Sequence, residues 1–251
     1  MVELSGSSHA GYDAVQKACQ AAFLQRHTVG FSQLEQPKAV FFDMDATVIC
    51  EESLVVLASY AGVAAHVAAV TERAMAGELD FRQALVERVA LLKGLPESIL
   101  VEAAASLTLM PGIVEFVAFC RHLGVPTFMV SGGFVQLAAG IAAKVGFNGY
   151  RASTLGVVDG CLSGYTVGEV IDAQAKLRYV QTTCAELNLD VNAVACVGDG
   201  ANDGLMLGAA GVAIGHQAKE VLFPVITALN ATGDHRFLAP LLFGRSCAQV
   251  R

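Results

Sequence analysis

Residues 40–48 read Val-Phe-Phe-Asp-Met-Asp-Ala-Thr-Val, an apolar strand-forming run that stops on two carboxylates, Asp43 and Asp45. A calcium loop of the type D-x-D-x-[DN]-G-x5-E begins the same way. Here, however, Thr47 and Val48 occupy the third-ligand and glycine positions, Leu54 replaces the bidentate glutamate, and a strand rather than a helix comes before. The two acids end a buried strand for another reason.

Three further segments resemble that strand: Val125–Val130, Ala193–Val197 and Gly211–Ile214, each nearly continuous in apolar residues. They alternate with helical patterns at Val114–Leu123, Phe134–Val145 and Ala173–Leu187, the arrangement of an α/β fold in which helices cover both faces of a parallel sheet. Residues 152–170 interrupt the alternation, because the Asp159-Gly160 turn between short strand-like pieces predicts a β-hairpin. Glu52 to about Leu109 contains no comparable strand and reads as several helices, a small lobe inserted after the first strand. In residues 1–36, Tyr12, Val15, Cys19 and Phe23 fall at helical spacing, which predicts a helical N-terminal extension. The expected division is therefore 1–36, a core of 37–51 with 110–251, and a helical cap of 52–109.

In an open α/β sheet, ligands bind outside the carboxyl ends of the strands. Three of the strands end in polar, reactive residues: Asp43 and Asp45, then Ser131-Gly132-Gly133, then Gly198-Asp199-Gly200-Ala201-Asn202-Asp203. Any one alone reads as turn chemistry; three together predict one pocket. Gly204 lies one place beyond a G-x-G-x-x-G register and no G-x-x-x-x-G-K-[ST] occurs, so dinucleotide and nucleoside-triphosphate sites lose their best evidence. Asp43, Asp45, Asp199 and Asp203 gathered at one edge would repel one another unless a cation intervened. With no histidine or cysteine beside them, oxygen-only ligation favours Mg²⁺ before Ca²⁺. Ser131-Gly132-Gly133, just before a helix expected to start near Phe134, can cradle phosphate oxygens at a helix N-terminus or simply cap the helix. Lys176 lies near the start of a helix capped by Asp172, where the dipole disfavours a cation, and it heads the stripe Val180, Cys184, Leu187. A nearby anion would resolve both features, and a snorkelling surface lysine is the alternative. On the inserted lobe, Phe81, Leu85, Arg88 and Leu92 share one helical face. Arg88 there suits either a ligand carboxylate or a structural ion pair, and Glu52 reads first as a helix-dipole partner.

Composition narrows the classes of function. The chain has 251 residues, 54% of them apolar, and a formal charge of −7, which argues against a broad nucleic-acid surface. Seven cysteines (Cys19, Cys50, Cys120, Cys161, Cys184, Cys196, Cys247) form no C-x-x-C pair and read as reduced, buried thiols of a cytosolic protein. No basic segment followed by an apolar stretch opens the sequence, so no secretory signal is expected. The apolar run Leu54–Val70 is shorter than the ~20 residues a membrane span needs.

The elements DMDAT, SGG, Lys176 and GDGAND, in this order, resemble the four motifs of the haloacid dehalogenase superfamily of aspartate-nucleophile phosphatases. Glu52, MAGELDF (75–81), Arg88–Lys93, Leu109–Gly112, VSGGF, DAQAK (172–176) and VGDGAND narrow the resemblance to the phosphoserine phosphatase family over about residues 38–243. Residues 1–36 lie outside it and are shorter than the ACT-type domain some members carry, Ala46 stands where the family more often has serine, and the match weakens after Lys219. The resemblance implies a Rossmann-like core with a small helical cap, and Mg²⁺-dependent hydrolysis of O-phosphoserine as the last step of serine biosynthesis, by a monomer or homodimer in the cytoplasm.

It further implies Asp43 as the nucleophile that forms an aspartyl-phosphate and Asp45 as general acid and base. Residues i and i+2 of an extended chain point to the same side, so both could face one phosphate if the chain stays extended past Asp43. Mg²⁺ would be held by an Asp43 oxygen, the Asp45 carbonyl and Asp199, with Asp203 orienting them. Ser131, Gly132, Lys176 and Asn202 would bind phosphate, Arg88 the substrate carboxylate and Glu52 its ammonium, with Phe81 as a lid residue. The competing readings are a phosphatase or phosphotransferase for another small phosphomonoester, and a catalytically silent binding domain on the same fold.

Overall fold

The computed structural model describes residues 36–75, 78–244 and 247; the expected N-terminal helix on Tyr12, Val15, Cys19 and Phe23 lies outside them. The strands are β1 (Val40–Phe42), β2 (Thr127–Phe134), β3 (Gly149–Val158), β4 (Cys161–Val167), β5 (Ala195–Gly198), β6 (Val212–His216) and β7 (Ala228–Asn230). They form one sheet in the order β4-β3-β2-β1-β5-β6-β7, in which all pairs are parallel except the β3–β4 hairpin. Val40, Phe41 and Phe42 are fully buried because β1 is the middle strand and both its faces are covered, which is why the segment reads as continuously apolar. Phe42 packs on the side of Phe116 and Phe147, while Phe41 stacks on Phe128 at 5.1 Å and meets the edge of Tyr179 on the other.

The helices are α1 (Ser53–Tyr60), α2 (Ala64–Met75), α3 (Phe81–Ala90), α4 (Ile99–Ser106), α5 (Ile113–His122), α6 (Val135–Val145), α7 (Ala173–Glu186), α8 (Gly204–Ala209) and α9 (Leu238–Phe243). Helices α1 to α4 all fall in the segment inserted after β1. That segment enters and leaves through an antiparallel stem: Ile49 bridges Leu109, Cys50 N–H donates to Thr108 O at 2.9 Å, and Met110 N–H donates to Val48 O at 2.9 Å. It touches the core again at the hairpin, where Gly94 N–H donates to Leu162 O and Leu162 N–H to Leu95 O. Leu54, Leu57, Leu85, Val89 and Leu92 bury their side chains in the same apolar cluster as Phe42 and Phe134, so the inserted helices rest on the sheet edge. The apolar run at 54–70 breaks into α1 and α2 at Gly62, whose φ of 69° suits glycine. Among the described residues, no helix is long and apolar enough to cross a membrane.

Several expectations need correction. The chain is not extended beyond Asp43: β1 ends at Phe42 and residues 45–48 form a turn, in which Met44 O accepts the N–H groups of Thr47, Val48 and Ile49. Strand β2 runs through Ser131-Gly132-Gly133 to Phe134, and α6 starts at Val135 with no side-chain cap, so the SGG segment is strand backbone rather than a helix cap. The hairpin is longer than the turn signal suggests, and β3 also pairs with β2 to carry it into the main sheet. Strand β7 carried no sequence signal that distinguished it. Val180 and Cys184 follow Lys176 into the core, but Leu187 at the end of α7 is exposed. Cys50 is exposed and Cys161 and Cys247 are half-buried; only Cys120, Cys184 and Cys196 are the buried thiols expected, and all six are free.

Candidate active site

Because β1 is hydrogen-bonded to β2 on one side and β5 on the other, the three polar strand ends meet at the point where the strand order reverses. Asp43 is anchored there by its N–H to Val197 O at 2.9 Å. Across from it, α7 begins at Asp172, whose side chain accepts the Ala175 N–H at 2.9 Å, and points Lys176 inward from its first turn. Lys176 is fully buried, with its Nζ 2.5 Å from Asp43 Oδ1 and 2.7 Å from Asp203 Oδ1. Carboxylates thus supply the anion that a buried cation at a helix N-terminus requires. Burial alone would push this ammonium down, but Asp203 and Asp43 reverse the effect and hold it above the usual lysine value.

Asp203 is fully buried under the β5 end, where its Oδ2 accepts the N–H groups of Asp199 (3.1 Å) and Gly200 (3.2 Å). Carboxylate oxygens of Asp43, Asp199 and Asp203 all lie within 4.8 Å of one another. Burial, then the charge of Asp203, drives the Asp43 carboxyl well above its ordinary range despite Lys176, and burial raises Asp199. Among the described residues, only Lys176 and a second ammonium, Lys219 at 3.2 Å from Asp199 Oδ2, pair with these three carboxylates. The uncompensated negative charge and the all-oxygen donor set fit a hard divalent cation.

Asp45 sits on the turn beside this cluster and is half-buried, and Ser53 N–H donates to its Oδ1 at 2.9 Å. Burial, reinforced by the neighbouring Glu52, pushes its carboxyl up to about 6. Ala46, next in the turn, adopts φ 51°, a left-handed conformation that a small residue tolerates best. On the β2 side, Ser131 is fully buried and its Oγ accepts the Gly133 N–H at 2.8 Å. A Cβ at Gly133 would lie 2.9 Å from Met44 Cε, 2.9 Å from Ser53 Oγ and 3.0 Å from Ser131 Oγ, so any larger residue would have to displace these side chains. The buried Ser53 Oγ lies beside the Gly133 backbone and close enough to the Asp45 carboxyl to help hold its charged form.

The inserted helices close the site from above. A capping box, with Asp80 accepting the Gln83 N–H and Gln83 Oε1 accepting the Asp80 N–H, starts α3. It places Phe81 so that its Cζ would be 3.2 Å from a Cβ at Gly132. Arg88, two turns on, is half-buried and its Nε donates to Ala84 O at 3.1 Å. Burial lowers its affinity for its proton, and Glu52 and Asp45 counter this, which places all three charges in one neighbourhood. Among the described residues Arg88 forms no ion pair, so its two outer nitrogens have no carboxylate. Glu52 is exposed at the N-cap of α1 but its side chain makes no cap hydrogen bond. Asn202, half-buried, lies over Gly200.

The structure brings Asp43, Asp199, Asp203 and Lys176 together, sets Asp45, Glu52 and Arg88 within electrostatic reach of one another, and places Phe81 over Gly132 and Asn202 over Gly200. Three that were not named join them: Ser53, Lys219, and Arg82, whose Nη2 lies 3.0 Å from Asp172 Oδ2 and ties α3 to the helix carrying Lys176. Arg82 carries no signal beyond standing next to Phe81, whereas Lys219 follows β6 by the same logic that flags the other strand ends. Behind the turn, His235 is fully buried and donates Nε2–H to Thr47 O at 2.7 Å while stacking on buried His216 at 4.1 Å.

Similarity to known proteins covers the stretch of chain that carries most of these residues. Residues 37–211 match the model of the haloacid dehalogenase-like hydrolases. The chain is 37% identical over 206 residues to phosphoserine phosphatase SerB2 of Mycobacterium tuberculosis, a match that covers 82% of this chain but only 50% of that protein. It is 39% identical over 183 residues to the phosphoserine phosphatase of Idiomarina loihiensis, covering 73% of this chain and 83% of that one. A solved phosphoserine phosphatase structure, described as a phospho-aspartyl intermediate analogue, superposes with a TM-score of 0.78 and 32% identity over 83% of this chain and 100% of that chain. The match thus spans 50% of SerB2 and 65% of the phosphoserine phosphatase of Vibrio cholerae, against 83% of the Idiomarina protein. With a parallel sheet whose three central strand ends carry Asp43, Ser131 and Asp199, and with a matching model across 37–211, this chain belongs to the haloacid dehalogenase-like hydrolases.

Proposed function

We propose that this chain is a Mg²⁺-dependent phosphoserine phosphatase that converts O-phospho-L-serine and water to L-serine and phosphate. The observation that carries the reading is the meeting of two charge sets: the Asp43, Asp199, Asp203 and Lys176 cluster beneath, and Arg88 with Glu52 above, with Asp45 between them. The lower set suits a phosphoryl group, and the upper set suits the carboxylate and ammonium of an amino acid. Mg²⁺ would be held by Asp43, Asp199 and the Asp45 carbonyl, with Asp203 orienting Asp199 through its N–H; the chemistry supplied there is neutralisation of phosphoryl charge.

Asp43 Oδ attacks phosphorus as the bond from phosphorus to the seryl oxygen breaks. The departing electron pair takes the proton of the Asp45 carboxyl, which gives serine and leaves an aspartyl-phosphate. The Asp45 carboxylate then removes a proton from water, whose oxygen attacks phosphorus; the bond to Asp43 breaks, phosphate leaves, and both acids return to their starting forms. A carboxyl held up near 6 is suited to both proton transfers. Lys176, the Ser131 hydroxyl, the Gly132 N–H and Asn202 hold the phosphoryl oxygens. Phe81 over Gly132 excludes water while the cap is closed. Serine biosynthesis and a cytoplasmic location go with this reading, in a monomer or homodimer with no nucleic-acid partner. Phosphate release measured across small phosphomonoesters, with Mg²⁺ or with a chelator, tests it: phosphoserine should be preferred and the chelator should abolish turnover. Equal rates on phosphoserine and on substrates without an amino acid would sink the assignment.

A further inference from the structure

Two lysines touch the carboxylate cluster, and they are held in opposite ways. Lys176 is fully buried, bonded to two carboxylates, and has no room to leave. Lys219, on the loop after β6, comes from the solvent side: its side chain is 64% exposed, its Nζ lies 3.2 Å from Asp199 Oδ2, and only its backbone is fixed, with its N–H donating to Asp199 O at 2.9 Å. The main-chain bond keeps the stem beside Asp199 while leaving the ammonium free to swing outward. A carboxylate oxygen that ligates Mg²⁺ at ~2.0–2.1 Å sits against a divalent charge, and an ammonium cannot share that space.

We infer that Lys219 is a built-in counter-ion for Asp199, one that closes the carboxylate cluster when the divalent cation is absent and must be displaced for the cation to bind. Lys219 is thus a positioning residue that sets metal affinity, with no part in phosphoryl transfer. This rests on the metal-dependent reading of the same site. It also reverses the usual expectation for a lysine at the edge of an active site, because removing the ammonium should improve metal binding rather than harm it.

The test is titration calorimetry of Mg²⁺ into the full chain and into Lys219→Met, which keeps an apolar stem of similar length, together with thermal melts in chelator and at saturating Mg²⁺. Lys219→Met should bind Mg²⁺ roughly two- to fivefold more tightly, the size of a partly exposed ion pair. Its melting temperature should fall in chelator but match the native chain in Mg²⁺. Lys219→Arg, which restores the charge, should return both values toward native. Equal or weaker Mg²⁺ binding by Lys219→Met overturns the inference alone. So does an equal melting loss in both conditions, which marks a structural role, or tighter binding with an unchanged melt in chelator, which marks a distant charge effect without the contact. No Mg²⁺ binding by the native chain overturns the metal reading and this inference with it.

Discussion

Replacing Arg88 by alanine should separate recognition from chemistry. The guanidinium is half-buried on α3, its Nε is spent on Ala84 O, and its outer nitrogens have no carboxylate partner among the described residues. On the proposed function it receives the substrate's planar carboxylate in two hydrogen bonds. A charge-assisted pair of this kind is worth ~1.5–3 kcal/mol, so kcat/KM for phosphoserine should fall roughly tenfold to a hundredfold. Phosphoethanolamine carries the ammonium and phosphate but no carboxylate, and should lose little. Because cap closure can draw on the same contact, kcat and KM can move together, and the ratio of kcat/KM between the two substrates is the cleaner quantity. Phosphate release would be followed for both substrates with native chain and variant. An equal loss on both would refute the reasoning: Arg88 would then support the α3 face or the closed cap in general, and the preference for phosphoserine would lose its physical basis. Glu52→Gln should show the complementary pattern and penalise substrates that carry the ammonium.

Other perturbations probe the scaffold. Gly133→Ala places a methyl against Met44, Ser53 and Ser131, so stability should drop by ~1–3 kcal/mol in denaturant melts and kcat/KM should fall with it; an unchanged melt would mean the cradle can give. Arg82→Ala removes the exposed tie from α3 to Asp172, so KM should rise by at most about fivefold with kcat little changed, and high salt should do the same to the native chain. The stacked pair predicts acid sensitivity. Burial lowers His235 from its ordinary 6.5 to about 4 and His216 to about 2, so the unfolded chain takes up protons below pH 6.5 that the folded one refuses. The stability these neutral rings contribute is complete above pH 6.5 and is lost as pH falls, down to about 4 for His235 and on toward about 2 for His216, at up to ~1.4 kcal/mol per pH unit for each ring. A stability profile flat from pH 6.5 to 4.5 would contradict this.

What could be read from the sequence follows from what holds each part together. Strands β1, β2, β5 and β6 are covered on both faces, so their apolar runs announce them, and the polar residues that end them can only be at the sheet edge. Strand β3 leaves the sheet as a hairpin, with Tyr150, Arg151 and Val158 exposed, and its mixed pattern hides the half that pairs with β2. Asp43 and Asp45 do face one site, but through a turn closed on Met44 O rather than an extended chain, a detail set by hydrogen bonds that side-chain identity does not reveal. Helix α7 was legible because Asp172 caps it and Lys176 then lies one turn in, yet its two carboxylate partners come from β1 and β5. Ser53 and the His216–His235 stack carry no sequence signal for the same reason, and Lys219, although it follows a strand end, owes its pairing with Asp199 to the fold alone.

In the proposed reaction Asp43 carries the phosphoryl group. Asp45→Asn, which can neither protonate the seryl oxygen nor activate water efficiently, should accumulate the intermediate when mixed with phosphoserine and Mg²⁺. Acid quench followed by peptide mass spectrometry should find one added phosphoryl group on the peptide containing Asp43, present in Asp45→Asn and absent from the Asp43→Asn, Asp45→Asn double variant. A phosphoryl group on another residue, or phosphate release by Asp43→Asn at a rate near that of the native chain, would contradict the account.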